Sequence, residues 1–319
     1  VGQRKKGYTT LDLGFSKDYT EGFFAQDSNN ETAYGNTIYN ILETEEQFQK
    51  PIYKWQELEI VAYLKKFEMI SINSVNLKLN VLRHFSNYIY EQEEIQYGRE
   101  YGVSNQMECI DMQKLLSVTI SESEYQVIKN QMNFTLFNRK INVRDKLILS
   151  LAWLGLNSNE IKNIKERDIV FKGSERDEVV IIHMIDGSEL TVNNAEIIKD
   201  LKTVLIERYY YVECIDDRIN KVPYRDTEYL LKPARIKRAR LSEQLANPSL
   251  VLQKVFVEKE IKCEGIDIAR LSIEDIRRSK IISLLRTETF EYIKELFDIK
   301  SETSLWWLKR ISKEKYPDS

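Results

Sequence analysis

The stretch "VRDKLILSLAWLGLNSNEIKNIKERDIVF" (residues 143–171) constrains the fold more than any other part of the chain. From Leu147 to Leu156 every residue except Ser150 and Gly155 is apolar. A helix that is apolar all round is buried, so other elements must enclose it. Gly155-Leu156 interrupts this helix, Asn157 follows, and a second helix begins. Such a layout sets a polar residue at a helix junction, where it can meet a ligand. Three β-like runs come next, at 168–172, 178–184 and 188–193. The links "GSERD" and "IDGS" supply turn residues between them, which predicts a short antiparallel sheet. The expected class is mainly α with a small antiparallel three-stranded sheet.

The 319 residues suffice for two domains of ordinary size. Only 11 Gly and 5 Pro interrupt a chain rich in Leu, Ile, Lys and Glu, which favours helix elsewhere. Residues 1–50 are polar and aperiodic, and read as a loosely structured extension of unknown role with a short helix near 38–48. Residues 51–112 read as a small helical domain. In "WQELEIVAYLKKFEMI" the residues Leu58, Val61, Ala62 and Leu64 fall on one helix face, with Phe67 following. Residues 71–74 offer a break and a cap. A second helix then carries Val75, Leu79, Leu82, Phe85 and Ile89 at spacings of three and four. After a connection, residues 119–319 form a larger mixed domain. It opens on Ser121 and Glu124, a capping-box pair. "AEIIKDLKTVLIERYYYV" reads as a helix ending in a packed tyrosine run, and "DDRINKVPYRDTEY" as a loop.

No apolar run reaches 18 residues, so no membrane-spanning helix is expected. The opening "VGQRKKGYTT" lacks the apolar core of a secretion signal. Cys109, Cys214 and Cys263 lie far apart and not at metal-ligand spacing. They read as free thiols of a reducing cytoplasm, with no metal and no cofactor expected. Net charge is −3, which argues mildly against a nucleic-acid binder. Yet residues 232–280 carry 12 basic and 7 acidic side chains, a basic island on an acidic protein. Such an island is either a solvated face or a surface that meets phosphates.

The order of elements resembles the tyrosine recombinases, or phage integrases, over residues 55–308. "VAYLKKFEMISINSVNLKLNVLRHFSNYIYEQ" is similar to the paired helices of the family's core-binding domain. "LSLAWLGLNSNEIKNIKERDIVF" is similar to box I, "LSIEDIRRSKIISLLRTETF" to box II, and "IKELFDIKSETSLWWL" to the segment that ends at the nucleophile. The resemblance implies a two-domain clamp around duplex DNA. It also implies a tyrosine that attacks a phosphodiester while arginines, a lysine and histidines hold the developing negative charge.

At the family's positions this chain offers a different set. Box I reads Gly155-Leu156-Asn157 in place of Gly-Leu-Arg. The hairpin expected to carry a lysine has Glu189 and none. Box II reads Glu274-Asp275-Ile276-Arg277, which keeps the arginine and replaces the histidine with a carboxylate. The next histidine, expected after a leucine-glycine pair, becomes Ile299 after Phe297-Asp298, and the nucleophile position holds Leu308. His84 and His183 stand elsewhere. A displaced nucleophile at Tyr316 is the alternative. The expected protein is therefore no enzyme, with no catalytic residue. It is a sequence-specific DNA-binding regulator, a phage repressor maintaining lysogeny, similar in type to the integrase-like repressors of SPβ-like phages. An active recombinase with a rearranged site is the competing expectation.

The candidate DNA contacts are Arg277, Arg278, Lys280 and Asn157; Arg235, Lys237, Arg238 and Arg240; and Lys78, Arg83 and His84. Each also has a plainer reading: a box II helix whose Glu274 pairs with Arg277 and Arg278, a solvated basic turn, and an ordinary wet helix face. The partners that follow are double-stranded DNA, a second copy on DNA, and an anti-repressor protein or peptide. The expected location is the cytoplasm of a bacterial host, on the nucleoid.

Overall fold

The computed structural model describes residues 14–26, 30–93, 102–133, 142–174, 177–213, 219–233, 244–245 and 247–317. The chain divides into two compact units, Val1–Leu115 and Leu116–Ser319.

The first unit is helical: α1 (Thr20–Ala25), α2 (Asn30–Phe48), α3 (Glu57–Lys65) and α4 (Ile72–Gln92), with α5 (Met112–Ser117) at the division. Ser71 caps α4, its Oγ accepting from Ser74 N at 3.2 Å. Val75, Leu79, Leu82, Phe85 and Ile89 are fully buried, so the predicted stripe of α4 is the core stripe. The face expected for α3 differs. Leu58 is 81% exposed and Ala62 is also exposed, while Ile60, Val61, Tyr63 and Leu64 are buried. The aromatic residues turn the helix. Trp55 packs on Tyr63 with centroids 5.4 Å apart, and the Tyr63 hydroxyl donates to the Thr37 carbonyl. Burying a large ring with its hydroxyl satisfied outweighs burying Leu58.

The expectation of a loose extension before residue 50 is corrected. Helix α2 runs for 19 residues and buries Ile38, Ile41 and Leu42 against the unit's core. The polar appearance of this segment hid a period of three and four because its outer faces are Asn, Thr, Glu and Gln. A buried carboxylate ties the residues ahead of α2 to the rest. Glu45 accepts from Ser16 N (2.8 Å), Ser16 Oγ (2.5 Å) and Ile52 N (2.6 Å). Burial pushes its pKa up, and these donors pull in the other direction. Glu45→Gln turns one acceptor oxygen into a donor facing other donors. We expect a loss of about 2 kcal/mol, within the range for one buried unsatisfied group, read as a lower urea midpoint.

The second unit surrounds α7 (Val143–Trp153), every residue of which but Val143 and Lys146 is buried. Helices α6 (Glu122–Asn133), α8 (Ser158–Asn163), α9 (Ala195–Ile206), α10 (Pro248–Glu258) and α11 (Ile273–Leu284) pack on it. The Ser121–Glu124 capping box starts α6 as read, and Tyr125 stacks on Trp153 with centroids 4.4 Å apart. The predicted sheet is present: β1 (Ile169–Lys172), β2 (Val179–His183) and β3 (Glu189–Val192), antiparallel in the order β1-β2-β3. Helices α12 (Phe290–Phe297) and α13 (Glu302–Lys315) end the unit. Leu305, Leu308 and Ile311 of α13 are buried, and α13 packs on α11.

The tyrosine run is a second correction. Helix α9 stops at Ile206, and Tyr209–Glu213 is a strand, β4, paired antiparallel with β5 (Ile219–Pro223). Consecutive aromatic residues followed by valine suit a pleated, half-buried surface better than a helix end. Lys221 lies over the rings of both Tyr209 and Tyr211. No helix among the described residues is long and apolar enough to cross a membrane.

Candidate functional site

The junction after α7 is built by conformation and capping. Gly155 has φ +105°, a left-handed backbone that side chains rarely adopt, and a Cβ there would lie 2.5 Å from the Phe297 ring. Asn157 is the N-cap of α8. Its Oδ1 accepts from Asn159 N (2.8 Å) and Glu160 N (2.9 Å), while Glu160 Oε2 accepts from Asn157 N (2.6 Å). The uncharged amide at this corner thus holds a helix start. The N-x-x-E spacing was the signal for it.

Arg277 reaches the same corner from α11. Its Nε donates to the Gly155 carbonyl at 2.6 Å and its Nη2 to the Phe297 carbonyl at 2.7 Å. Glu274, one turn earlier, accepts from Ser158 N at 3.2 Å. The pairing predicted for Glu274 with the box II arginines is replaced: Arg278 Nη2 donates to Asp275 Oδ1 at 2.5 Å, three residues back on the helix. Burial lowers the Arg278 pKa against the pull of Asp275. Lys280 lies over Trp153 and 3.6 Å from Glu122.

These elements frame an open cleft of about 640 Å³. Its walls include Gly155, Leu156, Arg277 and Phe297. Glu160, Asp186, Glu189, Glu295 and Asp298 also line it, so five acidic residues and one arginine are among its lining residues. Two hydrogen bonds from Ser188 hold Asp186 below the usual carboxylate range. Glu189 stands 3.2 Å from His183 across the β2–β3 pair. Tyr292 also lines the cleft and is half exposed. The sequence reading missed Tyr292, Asp186 and Glu295. The position of Tyr292 one and a half turns before Phe297 was the available signal.

Leu308 is 6% exposed and packs inside α13, while Trp306 projects outward against Phe290. Tyr316 does not line the cleft. Its half-buried ring lies under Arg286, 4.4 Å from the guanidinium carbon, and burial raises its pKa.

In the first unit, Lys78 turns inward. Its Nζ donates to Thr37 Oγ1 at 2.7 Å and sits over the Phe67 ring, and burial lowers its pKa. Arg83 and His84 are exposed on α4, with Arg83 Nη1 3.4 Å from Asn80 Oδ1. Arg235, Lys237, Arg238 and Arg240 lie outside the described residues, as does Cys214. Cys109 and Cys263 are free thiols, and no cluster of metal-ligating residues occurs among the described residues.

Asp298, aligned with the family's glycine, takes a left-handed backbone of φ 47° and ψ 47°, the conformation for which glycine is favoured. The chain is similar in structure to a XerH site-specific recombinase bound to palindromic difH substrate in a post-cleavage complex. The TM-score is 0.50 at 15% identity, over 89% of this chain and 75% of that one. It is also similar to the Tn1549 transposon integrase in complex with transposon right end DNA. There the TM-score is 0.50 at 11% identity, over 91% and 92%. The fold is that of the tyrosine recombinases. No family model and no curated protein sequence matches the chain. The cleft around Arg277 lies where the α7–α8 junction, α11 and the turn after α12 come together.

Proposed function

We propose that the chain is a sequence-specific DNA-binding regulator, a phage repressor of lysogeny, built on a tyrosine-recombinase scaffold that does not cut DNA. The observation that carries this reading is the cleft. Strand transfer builds negative charge on phosphate oxygens, and preorganised donors must hold it. Five acidic residues line the cleft with one arginine, a balance that opposes that charge. The aligned nucleophile position is a core leucine, and Tyr316 packs elsewhere. Support for DNA as the partner comes from the two similar proteins, both of which are bound to DNA, and from the basic island at 232–280.

Repression then follows from occupying operators, as one copy or as a pair of copies on a two-fold site. An anti-repressor protein or peptide relieves it, and the protein acts in the bacterial cytoplasm on the nucleoid. Band-shift titration with promoter duplexes from the chain's own genome tests this. We expect one set of sites to outcompete random duplex by at least about 10³-fold, with affinity falling steeply as salt rises. No preference over random duplex would refute it.

Tyr292 supports a second reading, an active recombinase with a rearranged site, because it shares the cleft with Arg277. Incubation with supercoiled plasmid separates the two. We expect neither relaxation nor a covalent protein–DNA adduct. An adduct lost in Tyr292→Phe or Tyr316→Phe establishes the enzyme instead.

A further inference from the structure

The cleft around Arg277 is too large and too well formed to be left unexplained by loss of function alone. At about 640 Å³ it lies in the size range of ligand sites. Its walls are not merely acidic. Leu154, Leu156, Met184 and Leu190 line it, and Tyr292 and Leu296 present about half of their surface, 49% and 46%. These side chains give the cleft an apolar wall beside its charged residues.

The sign of that charge decides the occupant. The one guanidinium in the cleft is directed at two main-chain carbonyls, with Nε and Nη2 both engaged. Among the carboxylates, Glu295 has no hydrogen-bond or ion-pair partner among the described residues, and Glu189 faces only His183. An anion entering here meets repulsion, and a cation meets attraction strengthened by low-dielectric walls. The exposed Tyr292 ring adds a face on which a guanidinium can stack.

We propose that this cleft is a docking site for an arginine-bearing, partly apolar segment of a protein partner, with the arginines meeting Glu189 and Glu295 and the apolar residues meeting Tyr292 and Leu296. A basic segment is the matching ligand chemistry because it satisfies both the carboxylates and the apolar wall at once. A phosphate-bearing ligand satisfies neither.

The test is fluorescence anisotropy on the full chain. The probe is a labelled, amidated octapeptide of alternating arginine and leucine, and an alternating glutamate and leucine peptide is the control. We expect the basic peptide to bind, the acidic one not to, and E189Q/E295Q to weaken binding about tenfold, or about 1.4 kcal/mol for the two charges together. Both carboxylates are exposed, so the thermal midpoint of this variant should stay at the wild-type value. E258Q, on the exposed face of α10, should bind like the wild type. Absence of binding overturns the proposal. So does a loss in E258Q equal to that in E189Q/E295Q, which would mean attraction to a generally acidic surface. Titrating the same variants with duplex reads DNA affinity separately, so a failed peptide site and a failed DNA-binding reading give different results.

Discussion

Arg144→Leu is expected to destabilise the second unit by about 3–5 kcal/mol, the range for removing one partner of a buried ion pair. Arg144 is 3% exposed and Asp145 is fully buried. The guanidinium donates to Asp145 Oδ1 through Nε (2.9 Å) and Nη2 (2.7 Å), and through Nη1 to the Lys232 carbonyl (2.9 Å). It also lies over the rings of Tyr210 and Tyr224, at 4.4 and 5.6 Å. Without it, Asp145 keeps only the Tyr210 hydroxyl, 3.1 Å from Oδ2, and its charge stays buried. In a unit of this size that corresponds to a fall of roughly 10 °C in the unfolding midpoint. Arg144→Leu with Asp145→Asn removes the stranded charge and should recover more than half of the loss. Calorimetry on the two variants checks both statements. Equal midpoints for the single and double variants would show that the pair acts through packing alone.

Gly155→Ala should cost about 3 kcal/mol, the sum of a side chain forced into a left-handed backbone and of overpacking. The new Cβ meets the Phe297 ring, and the carbonyl of the same residue is the acceptor for Arg277. A shift of either partner therefore loosens the Arg277 bridge. Besides the lower midpoint, faster amide exchange is expected at residues 155–160 and 295–299. Phe297→Leu in the Gly155→Ala background opens space and should restore part of the loss. If it restores none, the backbone conformation alone carries the cost.

What was legible in the sequence follows from how local each signal is. The α7 core helix, the three-stranded sheet, the Ser121 cap and the α4 stripe rest on periodicity and turn chemistry within about 20 residues, and the structure has all of them. Only the first part of α2 was hidden: a short helix was expected near 38–48, and the preceding turns from Asn30 are polar apart from Ala33 and Tyr34. The β4–β5 pair was hidden because its partner strand, "INKVP", contains a proline and few apolar residues. Such a strand is legible only once Tyr209–Glu213 is beside it. The corner itself was legible: Asn157 caps α8 there, and Arg277 bonds to the Gly155 carbonyl two residues before it. That the corner is also walled by Asp186 and Glu295 was not, since these come from the β2–β3 turn and from α12, more than 100 residues apart.

The clamp formed by Glu45 has a consequence for where the first unit begins. A chain trimmed to start at Lys17 would keep α1, α2 and every later α-helix, yet would strip this carboxylate of Ser16 while leaving it enclosed. Proteolytic or engineered shortening that ends just past Ser16 should therefore weaken a unit whose α-helices it never touches. The few residues around Ser16 act as a lid on a buried charge, and the minimal folding piece extends further toward the N-terminus than its helices suggest.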